Sequence, residues 1–351
     1  MPHPLEKYNY TLEEKHIRKS PLTKRDSSRL FVYNTATDTI TFDHFYNIAN
    51  YLPKDSLLVR NVTGVIPARV TFTKDTGGKV GGLVLINEGV DSEGNIPVIV
   101  DRKIEVGRTL HLGSHTFTVV RQDEQKFFLK PHFPSTKLHE VLLQEGTTPT
   151  PFYLGKQTLA EDELRTRYQT ISAQEKNSVA APTASLHFTE DVFTTLKEKN
   201  IATTDIVLDV GMGTFGDVTE EQWESKKLHQ ERIFIGTGAK NQIAHYKRNS
   251  KPIIAVGTTV TRTLEGKYAE ILSDDSSDIS GVTDLFITPP YNFQLVDILI
   301  TNFHVPKSSL MALVDAFLLH KGAKRRILEL YNVAQENGFT FYSFGDSMLI
   351  I

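Results

Sequence analysis

The segment Ile300–Leu310 (ITNFHVPKSSL) concentrates Asn302, His304, Lys307, Ser308 and Ser309 between two apolar runs, LVDILI before it and Leu310, Leu313, Val314, Phe317 and Leu318 after it. An imidazole transfers protons near neutral pH, and an ammonium or amide binds anionic groups. The spacing predicts a strand, a turn and a helix. Pro306 fits an early helix position and Ser308 a cap. Capping explains one or two of these polar residues but not Asn302, His304 and Lys307 together.

Three further junctions pair a short apolar strand with reactive side chains. AAPTASLHFT (180–189) carries His187, which could equally be a satisfied structural histidine. AVGTTVTRTLE (255–265) sets Gly257, Thr258, Thr259 and Arg262 at a strand-to-helix turn. Helix-start N–H groups, two hydroxyls and a guanidinium suit a carboxylate or phosphate; a Thr-capped helix is the plain alternative. SFGDSMLI (343–350) offers Asp346 as an acceptor for a ribose or an amine, or as a turn residue. No metal site is expected, because His139, His187, His229 and His304 are dispersed along the chain.

IVLDVGMGTFG places Gly211, Gly213 and Gly216 directly after a strand, the spacing of a dinucleotide or methyltransferase loop. The following DVTEEQWESKK lacks a small-residue helix to pack on that strand. The acid expected about 20 residues on falls at Glu231, ahead of the strand RIFI.

These junctions need an α/β frame. LFVY (30–33), Leu57–Val59, IVLDV, PIIAV, LVDILI and the terminal FTFYSF read as strands. FDHFYNIANYL reads as a helix closed by Pro53, and EDVFTTLKEKN as a helix capped by Thr189. Between about Gly64 and Gly146 the texture changes to short Val/Thr/Phe/Ile runs cut by turns such as DTGGK and DSEGN. That pattern predicts a small antiparallel barrel or sandwich. The expected architecture is an α/β, barrel-like main domain from residues 1–64 and 151–351, with an inserted all-β domain at 65–150.

With 351 residues the chain has length for a sizeable core. Its 39% apolar and 23% charged residues are those of a soluble globular protein. No apolar run approaches the ~20 residues of a membrane span, and the N-terminal stretch has no signal-like apolar core. The absence of cysteine removes disulfides and thiol catalysis and points to the cytoplasm. A formal charge of −3 argues against nucleic-acid binding by the whole surface. Local basic clusters remain, at Arg18, Lys19, Lys24, Arg25 and Arg29 and at His320–Arg326.

Taken together, RDSSRLFV, VIPAR, TGGKV, YQT, VAAPTASLHFT, VGMGTFGDV, LHQE, AVGTTVTRTLE, VDILITNFHVPKSSLMALVDAF and YSFGDSMLI resemble one family in order and over almost the whole chain: S-adenosylmethionine:tRNA ribosyltransferase-isomerase of queuosine biosynthesis. The resemblance implies transfer and isomerisation of the ribosyl part of S-adenosylmethionine onto 7-aminomethyl-7-deazaguanine in tRNA. Epoxyqueuosine forms, and adenine and methionine leave. It implies no metal and no cofactor beyond S-adenosylmethionine as substrate, and an α/β fold with an inserted β-barrel. A monomer is expected. Within this frame Glu231 and Asp346 are candidate acceptors near the sulfonium, and His187 and His304 candidate proton donors to adenine if they titrate near neutrality. Arg262 is the candidate carboxylate ligand. Thr258, Thr259, Asn302, Lys307, Ser308, Gly211 and Gly213 are candidate substrate contacts, and Arg25 and Arg29, with Lys307, candidate tRNA contacts.

The chain departs from the family pattern at several positions. An acid and an arginine are replaced by Val62 and Gly64, a glutamate by Gly81, histidines by Asp209 and Lys226, and a glycine by Pro290. These changes keep two alternatives open: a paralogue using S-adenosylmethionine on another acceptor, methyl transfer included, and a non-catalytic RNA-binding relative.

Overall fold

The computed structural model describes residues 3–155, 159–174, 176–211 and 218–351. Four strands, Ala202–Leu208, Leu57–Asn61, Ile253–Val256 and Ile298–Asn302, run parallel side by side. The inner three are almost wholly buried, as Val/Ile/Leu-rich runs covered on both faces must be. Lys227–Ile235 and Ile279–Leu285 extend this sheet antiparallel at one edge. Ser347–Ile350, Arg29–Asn34 and Thr39–His44 extend it at the other. The α/β, barrel-like main domain thus takes the form of one mixed nine-stranded sheet. One apolar cluster on this sheet includes Leu57, Val59, Leu299, Phe303, Leu313 and Phe317. Another includes Leu30, Phe45, Leu58, Ile254, Phe188 and Leu196.

The inserted domain is a closed antiparallel barrel of six strands between Arg69 and Pro131. Closure removes free strand edges. Phe72, Val80, Leu110, Val119 and Leu129 fill its interior. The helix Leu138–Glu145 buries Leu138, Val141 and Leu142, spaced i, i+3, i+4, against the same cluster. Where the chain enters the barrel, Gly64–Val65 pairs in parallel with Lys176–Ser178 of the main domain, and an antiparallel bridge between Arg69 and Thr147 ties entry to exit.

Several local expectations shift. FDHFYNIANYL is a strand, Thr39–His44, followed by the 3-10 turn Phe45–Asn50, because Phe42 packs on Phe31 as a cross-strand partner. FTFYSF is not a strand; the terminal strand is Ser347–Ile350, and Phe341–Gly345 forms a turn closed by Gly345 N–H on Tyr342 O (3.1 Å). Pro306 lies in a turn ahead of the helix Ser309–His320, whose cap is Ser308 as expected. The helix Thr258–Gly266 begins at Gly257 without a side-chain cap. Glu231 lies within the strand Lys227–Ile235, not before it. Among the described residues no helix is long and apolar enough to cross a membrane, and no group of three His, Asp or Glu is placed to hold a metal.

Candidate active site

The cleft lies beyond the carboxyl ends of the parallel strands, where an α/β sheet leaves its crevice. Strand Ile253–Val256 leaves through Gly257, at φ 92°, a conformation that disfavours a side chain. Gly257 N–H donates to Ile300 O (2.7 Å), which aims the start of the helix Thr258–Gly266 at the cleft. Thr258 and Thr259 line it there. Strand Ile298–Asn302 delivers Thr301 and Asn302, followed by Phe303 and His304. The 3-10 turn Thr183–His187 supplies Thr183 and Ala184, and Val210 follows strand Ala202–Leu208. Tyr153, Tyr342 and Ser343 close the remaining side. The open space, mouth and adjoining solvent included, is about 660 Å³.

Asn302 joins two walls. Its Oδ1 accepts from Thr183 Oγ1 (2.9 Å), and its Nδ2 lies 3.4 Å from His187 Nε2. His187 Nδ1 lies 2.9 Å from Ser28 Oγ, and its ring packs on Phe45. Burial pushes the His187 imidazole down to about 4 and that of His304 down to about 3. Both therefore stand neutral at pH 7, and the near-neutral titration expected of a proton donor is absent. His304 lines the cleft, with Nε2 2.8 Å from Thr301 Oγ1 and its backbone N–H on Tyr331 Oη (2.8 Å).

The candidate charged groups lie behind this surface. Arg262 Nη1 pairs with Glu231 Oε2, and Arg262 Nε donates to Leu285 O (3.0 Å). Glu231 Oε1 accepts the Gly211 N–H (3.0 Å). Asp346, 1% exposed, takes four donors: Arg29 N–H, Arg18 Nη2, Thr340 N–H and Thr340 Oγ1. Among the described residues no Asp, Glu, Lys or Arg lines the cleft. Lys307 pairs with Glu6 (2.9 Å) instead, and Ser308 Oγ donates to Val305 O and receives Met311 N–H. Arg25 donates to the carbonyls of Thr166, Arg167 and Gln169 at the end of the helix Glu161–Arg167. Arg29 stacks on Phe339 (3.9 Å) and donates to Asn337 O (2.6 Å). Gly213 lies outside the described residues.

Three of the six departures, Val62, Gly64 and Asp209, lie where the chain passes between sheet and barrel. Asn61 holds Leu208 through both backbone groups (2.8 and 3.0 Å), and Thr63 Oγ1 donates to Asp209 Oδ1 (2.8 Å), all buried. At Gly81 a carboxylate still stands, because Asp101 Oδ2 lies 2.8 Å from where a Cβ would be. Lys226 sits over the Trp223 ring (3.8 Å).

Sequence reasoning missed Ser28, Tyr153, Thr183 and Tyr342. Tyr153 and Tyr342 lie in short irregular turns without periodicity. Tyr342 has φ 70°, rare for a bulky residue and invisible in the residue type.

The chain matches the queuosine biosynthesis protein family over residues 5–350. It is 40% identical over 349 residues to the S-adenosylmethionine:tRNA ribosyltransferase-isomerase of Carboxydothermus hydrogenoformans, covering 99% of both chains. It is 40% identical over 350 residues to the protein of that name in Thermosipho melanesiensis, again with 99% of each covered. The crystal structure of S-adenosylmethionine tRNA ribosyltransferase from Thermotoga maritima is similar across 98% of this chain and 99% of that one, with 29% identity and a TM-score of 0.54.

Proposed function

This chain belongs to the queuosine biosynthesis protein family, and from that premise we propose how its residues work as an S-adenosylmethionine:tRNA ribosyltransferase-isomerase. It transfers and isomerises the ribosyl group of S-adenosylmethionine onto tRNA, with 7-aminomethyl-7-deazaguanine as acceptor and adenine and methionine as leaving products. One observation carries the assignment of the site. The stretches AAPTASLHF, GTTVTR and TNFHVPKS, far apart in sequence, line a single cleft.

The start of the helix Thr258–Gly266 seats the methionine carboxylate. The N–H groups of Thr258, Thr259 and Val260 precede the first intrahelical bond, Thr261 N–H to Gly257 O, and the helix dipole favours an anion there. Arg262 contributes positive potential from behind, tempered by Glu231. His304, neutral and lining the cleft, contacts the substrate as a hydrogen-bonding group, because an imidazole held so far below its ordinary value by burial is too weak a base for the proton beside the sulfonium. His187 orients Asn302, whose amide meets the sugar or base. Glu231 and Asp346 act as positioning groups. Glu231 holds the Gly211 backbone, and Asp346 fixes the turn carrying Tyr342 and Ser343.

A recess lined by Arg18, Arg25, Arg167 and His187 shares Ser343 with the cleft. It suits a tRNA phosphate, with Arg29 and Lys307 on more distant backbone contacts. The enzyme works as a cytoplasmic monomer.

The test is incubation with S-adenosylmethionine and tRNA carrying the precursor base. Adenine, methionine and epoxyqueuosine-tRNA are expected. S-adenosylhomocysteine in their place would indicate methyl transfer. Salt-dependent RNA binding without S-adenosylmethionine binding would indicate a non-catalytic relative.

A further inference from the structure

We propose that the sulfonium of S-adenosylmethionine is held by the faces of Tyr153 and Tyr342 rather than by a carboxylate, an inference that rests on the function proposed above. A sulfonium entering this cleft meets no charged side chain among the described residues. The two acids the sequence offered are committed elsewhere, Glu231 to Arg262 and Gly211, Asp346 to its four donors. The cleft does offer two tyrosine rings, with centroids 4.8 Å apart and planes at 57°. A cation is attracted to an aromatic face within about 6 Å of the centroid. Rings this close can both stand within that range of one sulfur.

The surroundings hold the rings and engage their hydroxyls. Tyr153 Oη bonds Ser343 Oγ (2.6 Å), and the Tyr342 hydroxyl meets that of Tyr10. Desolvation raises the Tyr153 phenol to about 12, so it stays neutral and presents a ring rather than a phenolate. Tyr342 is kept at φ 70°, where L residues are disfavoured, by its N–H on Phe303 O (2.9 Å) and by the Gly345 turn. Strain of this kind persists where surrounding structure over-determines it, and it clusters at ligand clamps. An extended backbone at Tyr342 would carry the ring away from Tyr153.

A cage of this kind distinguishes a cation from a neutral thioether of nearly the same shape. Calorimetric titration with S-adenosylmethionine and with S-adenosylhomocysteine reads that preference directly. The wild type is expected to favour the sulfonium. Tyr153→Leu and Tyr342→Leu are each expected to cut the preference about three- to tenfold, mainly by weakening S-adenosylmethionine, while Tyr153→Phe and Tyr342→Phe retain it. If Tyr342→Leu does not fold, the partly exposed Tyr153 carries the comparison. An unchanged preference in a folded leucine variant would overturn the cage. A wild type that binds both ligands yet transfers no ribosyl group to tRNA would count against the function, while the leucine variants still decide the cage.

Discussion

Arg262 and Glu231 are each other's buried partner: Nη1 lies 2.5 Å from Oε2, and their side chains are 5% and 1% exposed. The pair joins the helix Thr258–Gly266 to the strand Lys227–Ile235 behind the cleft, so Arg262 has a structural duty before any ligand arrives. Arg262 Nη2 is buried and meets no hydrogen-bond acceptor among the described residues.

Removing one member of such a pair strands the other charge. Arg262→Met is therefore expected to destabilise the protein by about 3–5 kcal/mol and to weaken S-adenosylmethionine binding. Urea unfolding should show the double variant Arg262→Met/Glu231→Leu to be less damaged than the sum of the two single changes. Additive losses would mean that the two side chains are not coupled.

His304→Ala is expected to abolish turnover while the protein still folds, with a lowered melting temperature from the emptied space and the unmet Thr301 hydroxyl. Since burial holds His304 near 3, the pH profile of kcat/KM should lack an acid limb near 6.5 belonging to this residue. Near wild-type rates in the alanine variant would make His304 structural.

The His187 value of about 4 fixes a stability trend. The unfolded imidazole binds its proton near pH 6.5, whereas the folded one stays neutral to about 4. The stabilising contribution is present above pH 6.5 and is lost as pH falls toward 4, by on the order of 3 kcal/mol. Melting temperatures should drop across that window, and His187→Gln should flatten the drop. Equal pH dependence in both proteins would contradict the assignment.

Glu265 is a buried carboxylate, raised by desolvation, that accepts three backbone N–H groups, those of Gln294, Leu295 and Val296, at 2.7–2.9 Å. Glu265→Ala leaves those donors unsatisfied and is expected to cost several kcal/mol, at ~1–3 kcal/mol for each unmet buried group. A denaturation midpoint equal to wild type would show that water replaces the carboxylate. Glu265→Gln, which keeps acceptor capacity, should fall between the two.

Much of the frame was legible in the chain. Short Val/Ile/Leu runs such as PIIAV can satisfy themselves only in a strand buried on both faces, and the Val/Thr/Phe runs between turns signalled the barrel. Phe42 was misread as helical, since Phe42, Phe45, Ile48 and Ala49 happen to share a helical spacing; pairing with Phe31 overrides it. In the site, Thr258, Thr259, Asn302 and His304 were found because polar residues stood at strand ends, where a sheet leaves its crevice.

The sequence by itself determined which residues flank the strand ends and, through its motifs, the family. Those are local facts, written in residue type and order. Only the tertiary structure decided which polar groups face the ligand and which face each other. Glu231, Asp346, Arg262 and Lys307 look available in a sequence, yet each finds a partner up to hundreds of residues away. A buried charge must be paired or hydrogen-bonded, and the partner is chosen by the packing of the sheet. That same packing left the cleft to one neutral imidazole, hydroxyls, an amide and two tyrosine rings.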